Sequence, residues 1–121
     1  MKIDYEGKTF RSVSNSAAGE VGTKTVFHYR QHGRIVSAEY SGGEIASGHL
    51  LATCDHEGCL DMTYHHVNPS GKLMAGVCNS TPEILLDGRI RLYESWTWTL
   101  GGQGSGESTI EEILRSSQQH F

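Results

Sequence analysis

This sequence predicts an all-β fold, an antiparallel up-and-down meander closing into a small barrel of eight or nine strands. Three observations carry that prediction. Turn chemistry recurs roughly every ten to fifteen residues, the strand-plus-turn spacing of a meander. Between turns, apolar and polar residues alternate with period two, which buries one face of each strand and wets the other. The turns are also short. A flat two-sheet sandwich would need longer crossing connections, whereas curling into a barrel buries the apolar face and removes exposed edges.

The turns are "QHGR" (31–34), "SGGE" (41–44), "DHEG" (55–58), "NPSG" (68–71) and "LDGR" (86–89). Each sets Gly beside Asn, Asp, Ser or another polar residue, the types that accept tight bends. "GGQGSG" (101–106) is a longer connection.

The strands follow in order. "KTFRSVSN" (8–15) opens the chain. In "TVFHYRQ" (25–31) Phe27 and Tyr29 oppose Val26, His28 and Arg30. In "RIVSAEY" (34–40) Val36, Ala38 and Tyr40 oppose Ser37 and Glu39. "EIASGHLLATC" (44–54) precedes "LDMTYHH" (60–66), in which Leu60, Met62 and Tyr64 oppose Asp61, Thr63 and His65. "KLMAGVCNS" (72–80) is followed, after Pro82, by a short separate strand "EILL" (83–86). In "RIRLYESWTW" (89–98) Ile90, Leu92, Trp96 and Trp98 oppose Arg91, Tyr93, Ser95 and Thr97. "STIEEIL" (108–114) has capping-box spacing in Ser108 and Glu111 and an apolar stripe that a helix could use. A closing strand is preferred there, because the two ends of a hairpin series need pairing.

The totals fit one domain, 1–121, large enough for a core without staples. Net charge is −4 with scattered basic residues, so no nucleic-acid face is expected. "MKIDYEGK" contains no apolar leader segment, and no apolar run is long enough to span a bilayer. Three cysteines make a poor disulfide framework, which suits a reduced, cytoplasmic protein. The polar "SSQQHF" at the C-terminus is expected to fray.

"CDHEGCLDMTYHH" (54–66) resembles a metal cluster in composition. Zinc wants four ligands within about 2.0–2.3 Å of one point. His65 shares a face with Cys59 but lies six residues along, roughly 20 Å away at strand rise. His66 is as distant and points to the other face. His56, on the turn with Cys54 and Cys59, brings the set to three at most. No metal site and no cofactor are expected, only a reduced cysteine pair.

Glu94 is the informative exception to the alternation. It occupies the face of Ile90, Leu92, Trp96 and Trp98, so its carboxylate points into the barrel and must be hydrogen-bonded, paired or protonated. One reading is a structural network with an interior Tyr or Arg; the other is a polar anchor for a small ligand. Tyr29, Tyr40, Tyr64 and His66 fall on the apolar phase of their strands. With Glu94 and Trp96 they are the candidate ligand-binding residues of the barrel interior. No nucleophile elbow and no P-loop is present, so no catalytic residue is assigned.

Three stretches carry a resemblance. "NSAAGEVGTKTVFHYRQHGRIVSAEYSGG", "HHVNPSGKLMAGVCNSTPEILLDGRIRLYESWTWT" and "GESTIEEI" resemble a family of small bacterial proteins commonly labelled N-acetylglutamate synthase. The label implies transfer of acetyl from acetyl-CoA to glutamate. The usual acetyltransferase loop, R/Q-x-x-G-x-G/A between a strand and a helix, finds only Arg30-Gln31-His32-Gly33-Arg34-Ile35 here. By architecture the chain is similar to the calycin barrels, the lipocalins and avidins. The resulting expectation is a barrel that binds a small organic molecule rather than an enzyme, with a second copy of the chain as the other candidate partner.

Overall fold

The computed structural model describes residues 3–114; the expectation made for 116–121 lies outside them. Eight strands run β1 (Thr9–Asn15), β2 (Val26–His32), β3 (Ile35–Gly42), β4 (Ile45–Cys54), β5 (Leu60–Val67), β6 (Leu73–Ile84), β7 (Ile90–Leu100) and β8 (Ser105–Glu112). Each pairs antiparallel with the next, and β8 returns to β1, closing the barrel. The closing register sets Phe10 against Glu112 and Ser12 against Ile110, with a bulge between Ser12 and Ser14.

Alternation produced this closure. Phe27, Tyr29, Val36, Ala38, Tyr40, Leu60, Met62, Ile90, Leu92, Trp96 and Trp98 are all buried in one core, and the residues that alternate with them in each strand face outward. The turn glycines behave as their chemistry requires: Gly58 and Gly88, for example, sit at φ 86° and 91°, where a side chain would be strained.

One expectation changes, and one choice between two readings falls on the preferred side. "EILL" is no separate strand, because β6 runs on through Pro82 to Ile84. Pro82 opposes Leu92 on β7 and does not end the ladder. The long strand leaves eight strands among the described residues, not nine. The 108–114 stretch enters a strand, as preferred, and not a helix: β8 ends at Glu112, and Ser108, Thr109, Ile110 and Glu111 pair on both sides, with β7 and β1, so strand pairing overrides the local capping signal.

The two ends of the barrel differ. At one end, residues 3–8 fold back as a plug: Tyr5 is wholly buried, its hydroxyl donates to Gly58 O at 2.5 Å, and its ring meets Tyr29 at 5.8 Å. At the other end lie the β1–β2 connection (16–25) and the β3–β4, β5–β6 and β7–β8 turns. That end holds the cavity.

Candidate functional site

A narrow cavity descends from the open end between the 16–25 connection and the upper halves of the strands. Phe27, Tyr40, Tyr64, Trp96 and Trp98 form its aromatic walls, and Glu94 lies on its wall among them. Its room for small groups is about 50 Å³, a few waters' worth; all the empty space out to the open mouth comes to about 450 Å³.

Register positions the carboxylate. Glu94 on β7 stands directly opposite Ser80 on β6 and Ser108 on β8. Ser108 Oγ donates to Glu94 Oε1 at 2.9 Å, and Ser80 Oγ donates to Oε2 at 3.3 Å. The interior Tyr or Arg partner expected from the sequence is replaced by two serines, because flanking strands offer the nearest side chains to any inward group. Two neutral hydroxyls do not balance a charge. Burial pushes the Glu94 carboxyl up to about 7, with the serine hydrogen bonds acting against it. Below it, Tyr29 is 1% exposed, and its hydroxyl has no hydrogen-bond partner among the described residues. Burial, with the Glu94 charge adding to it, pushes that phenol well above its ordinary range.

A latch crosses the mouth and narrows it. His66 on β5 is buried; its Nε2 lies 2.9 Å from Glu20 Oε1, and Asn68 Nδ2 donates to Glu20 Oε2 at 3.1 Å. Tyr40 Oη lies 3.0 Å from His66 Nδ1. Burial holds the His66 imidazole below its ordinary range, against the pull of Glu20. A neutral ring fits both contacts: Tyr40 donates to Nδ1, and Nε2–H donates to Glu20. Two further bonds pin the same connection across the mouth. Trp98 Nε1 donates to Ala18 O at 3.1 Å, and Asn15 Nδ2 donates to Val21 O at 2.9 Å.

Glycine sets the aromatic walls. A Cβ on Gly106 would come within 2.6 Å of Trp96 Cζ2, so the indole lies flat over β8 only because that strand is bare there. Gly48 does the same beneath Tyr40, where a Cβ would also meet the His66 Cβ at 2.8 Å.

An aromatic-walled cavity entered from one end of a closed eight-stranded barrel is a fold-level likeness that sequence comparison then decides. Residues 3–113 match the family model described as avidin-like protein. The chain belongs to the avidin-like family. It matches no curated protein and no solved structure.

Of the six interior candidates in this avidin-like barrel, Glu94, Trp96, Tyr40, Tyr64 and His66 line the cavity together. Tyr29 lies in the packed core beneath it, against Phe10 at 4.8 Å, and not in its wall. Sequence reasoning missed Glu20, Ser80 and Ser108. The two serines were findable: Ser80 shares the phase of Met74 and Cys78, and Ser108 that of Ile110. Glu20 was not, because no period constrains a connection. Near Cys59 the ligand atoms that converge are those of Asp55 and Glu57, not His56 and Cys54. Asp55 Oδ1 already accepts from the Glu57 and Cys59 amides, which makes this an ordinary turn cap. The Arg30–Ile35 string is the β2–β3 hairpin itself, with strand on both sides. It leads into no helix.

Proposed function

We propose that this avidin-like barrel binds a small organic molecule in the mouth cavity, with Glu94 as its inner anchor. The observation that carries the reading is the carboxylate on the cavity wall, held by two hydroxyls that cannot neutralise it. A ligand N–H or O–H donated to Glu94 would supply what the serines do not, and the aromatic walls suit a flat or slender body. At the outer end, His66 Nε2 and Asn68 Nδ2 are donors now held by Glu20, so an acceptor group on the ligand would take them when Glu20 withdraws. The small free volume implies that withdrawal, since about 50 Å³ admits little until the connection moves. The reading is one of binding. The hydrogen-bonding partners of Glu94 are serine hydroxyls and the His66 ring is engaged by Tyr40 and Glu20, so Glu94 and His66 do not work on each other.

Thermal shift against a metabolite set, biotin (the ligand of avidin) among them, tests it. A ligand at about 100 times its Kd adds roughly 2.7 kcal/mol to stability. The shift is expected to shrink in Glu94→Gln, with Trp96 and Trp98 fluorescence reporting occupancy. Absence of any hit, both in the native chain and in a Glu20→Ala variant with its mouth unlatched, would overturn the proposal.

A further inference from the structure

The outer wall of the barrel carries a row of metal-ligating side chains that the cavity does not use. Across β2 to β5, His28 stands opposite Glu39, Glu39 opposite His49, and His49 opposite His65. All four are exposed. The His49 and His65 rings already lie together, with centroids 5.9 Å apart and planes at 31°. Glu39 pairs with no cation among the described residues.

We propose that Glu39, His49 and His65 bind one divalent transition-metal ion of the zinc type, with His28 flanking the site. Neighbouring strands are roughly 4.8 Å apart, and directly opposite residues hold their Cβ atoms about 4.5–5.5 Å apart. His49 is the middle of the three, so each outer ligand needs to lean across only one strand spacing. Exposed side chains are free to turn into that geometry. Two imidazoles and a carboxylate are a donor set that borderline divalent ions accept, with water completing the shell. This cluster differs from the Asp55–Glu57–Cys59 turn, where hydrogen bonds to the turn's own amides already account for the convergence. It also answers the 54–66 histidine question differently: His65 ligates sideways, across the sheet, and not along its own strand.

The test is a calorimetric titration of the full chain with zinc chloride at pH 7.5, with the histidine side-chain resonances followed in parallel. One ion per chain is expected, with the His49 and His65 signals moving together. His49→Gln or His65→Gln should each weaken binding by about tenfold or more, and Glu39→Gln by less. Cys59→Ser and His120→Gln should leave the affinity unchanged. Unchanged affinity in either His49→Gln or His65→Gln, or its loss in Cys59→Ser, would overturn the assignment. Both histidines are exposed, so circular dichroism of each variant should match the native chain, and either one suffices to decide.

Discussion

At Glu94 two opposing effects meet on one side chain. Burial disfavours the charged carboxylate, while the Ser80 and Ser108 hydroxyls favour it, and burial wins, leaving the group near 7. Because this acid's folded-state value stands above its unfolded value, the native state holds the proton more tightly. The stability it contributes is full below about 4.5 and is lost as pH rises from there through about 7. His66 acts in the opposite sense: its depressed value favours the native state at higher pH, and that advantage is lost as pH falls below the ordinary imidazole range. Comparing Glu94→Gln with the native chain isolates the carboxylate. The amide keeps the shape and both contacts without a charge, one of them reversed so that its NH2 donates to a serine oxygen. The two proteins should be equally stable near pH 4.5, and the variant should be the more stable by about 1–3 kcal/mol at pH 8. Urea melts across that range measure it. A constant difference at every pH would mean that the carboxylate is solvated and its titration unperturbed. How such a residue was legible is plain: "RIRLYESWTW" alternates, so an acid in the tryptophan phase has to face inward. Which groups would meet it was not, because partners come from register, and register is fixed by turns and bulges on strands far off in sequence.

The same divide appears between elements. Strands announce themselves by period, and six of the eight are readable within a residue or two; β8 begins at Ser105, inside the expected glycine-rich connection, and β6 is cut short at a proline that the β6–β7 ladder tolerates. The 16–25 connection has no period, so its role at the mouth emerges only from long-range bonds: Glu20 to His66 and Asn68, Trp98 to Ala18, and Asn15 to Val21. Those bonds make a lid held mainly by polar contacts, which opens more readily than the packed strands beneath. Glu20→Ala removes the acceptor shared by His66 and Asn68. Amide exchange across 16–24 should rise about fivefold to tenfold, corresponding to roughly 1–1.5 kcal/mol of local stability. Exchange in β5 and β7 should remain close to native, because their ladders do not depend on the latch. Uniform acceleration throughout the barrel would show that Glu20 supports the whole fold and not a local closure.

Taken as a whole molecule, the barrel is closed around its side and stopped at both ends by different chemistry. The lid end is latched through the Glu20 carboxylate; the plug end is built on a buried ring, with Tyr5 wedged beside Phe10 and Tyr29, its amide donating to Gln31 Oε1 and its hydroxyl tied to the β4–β5 turn. Tyr5 therefore belongs to the continuous core, and removing it leaves a cavity under Tyr29. Tyr5→Ala should cost about 3–5 kcal/mol, the range for losing a buried aromatic ring. Tyr5→Phe keeps the ring, gives up one hydrogen bond and leaves the Gly58 carbonyl short of a donor, for about 1–2 kcal/mol. Both losses should be global, lowering the denaturation midpoint without raising amide exchange selectively in 16–24. Since Tyr5 and Glu20 lie at opposite ends and share no partner, their effects should add: Tyr5→Phe with Glu20→Ala should match the sum of the single losses within about 0.5 kcal/mol. Denaturant melts of the four proteins in that cycle decide it. A coupling clearly larger than this would mean that the plug and the lid communicate through the interior column of Tyr29, Glu94 and Tyr40, and that the cavity cannot open at one end without loosening the other.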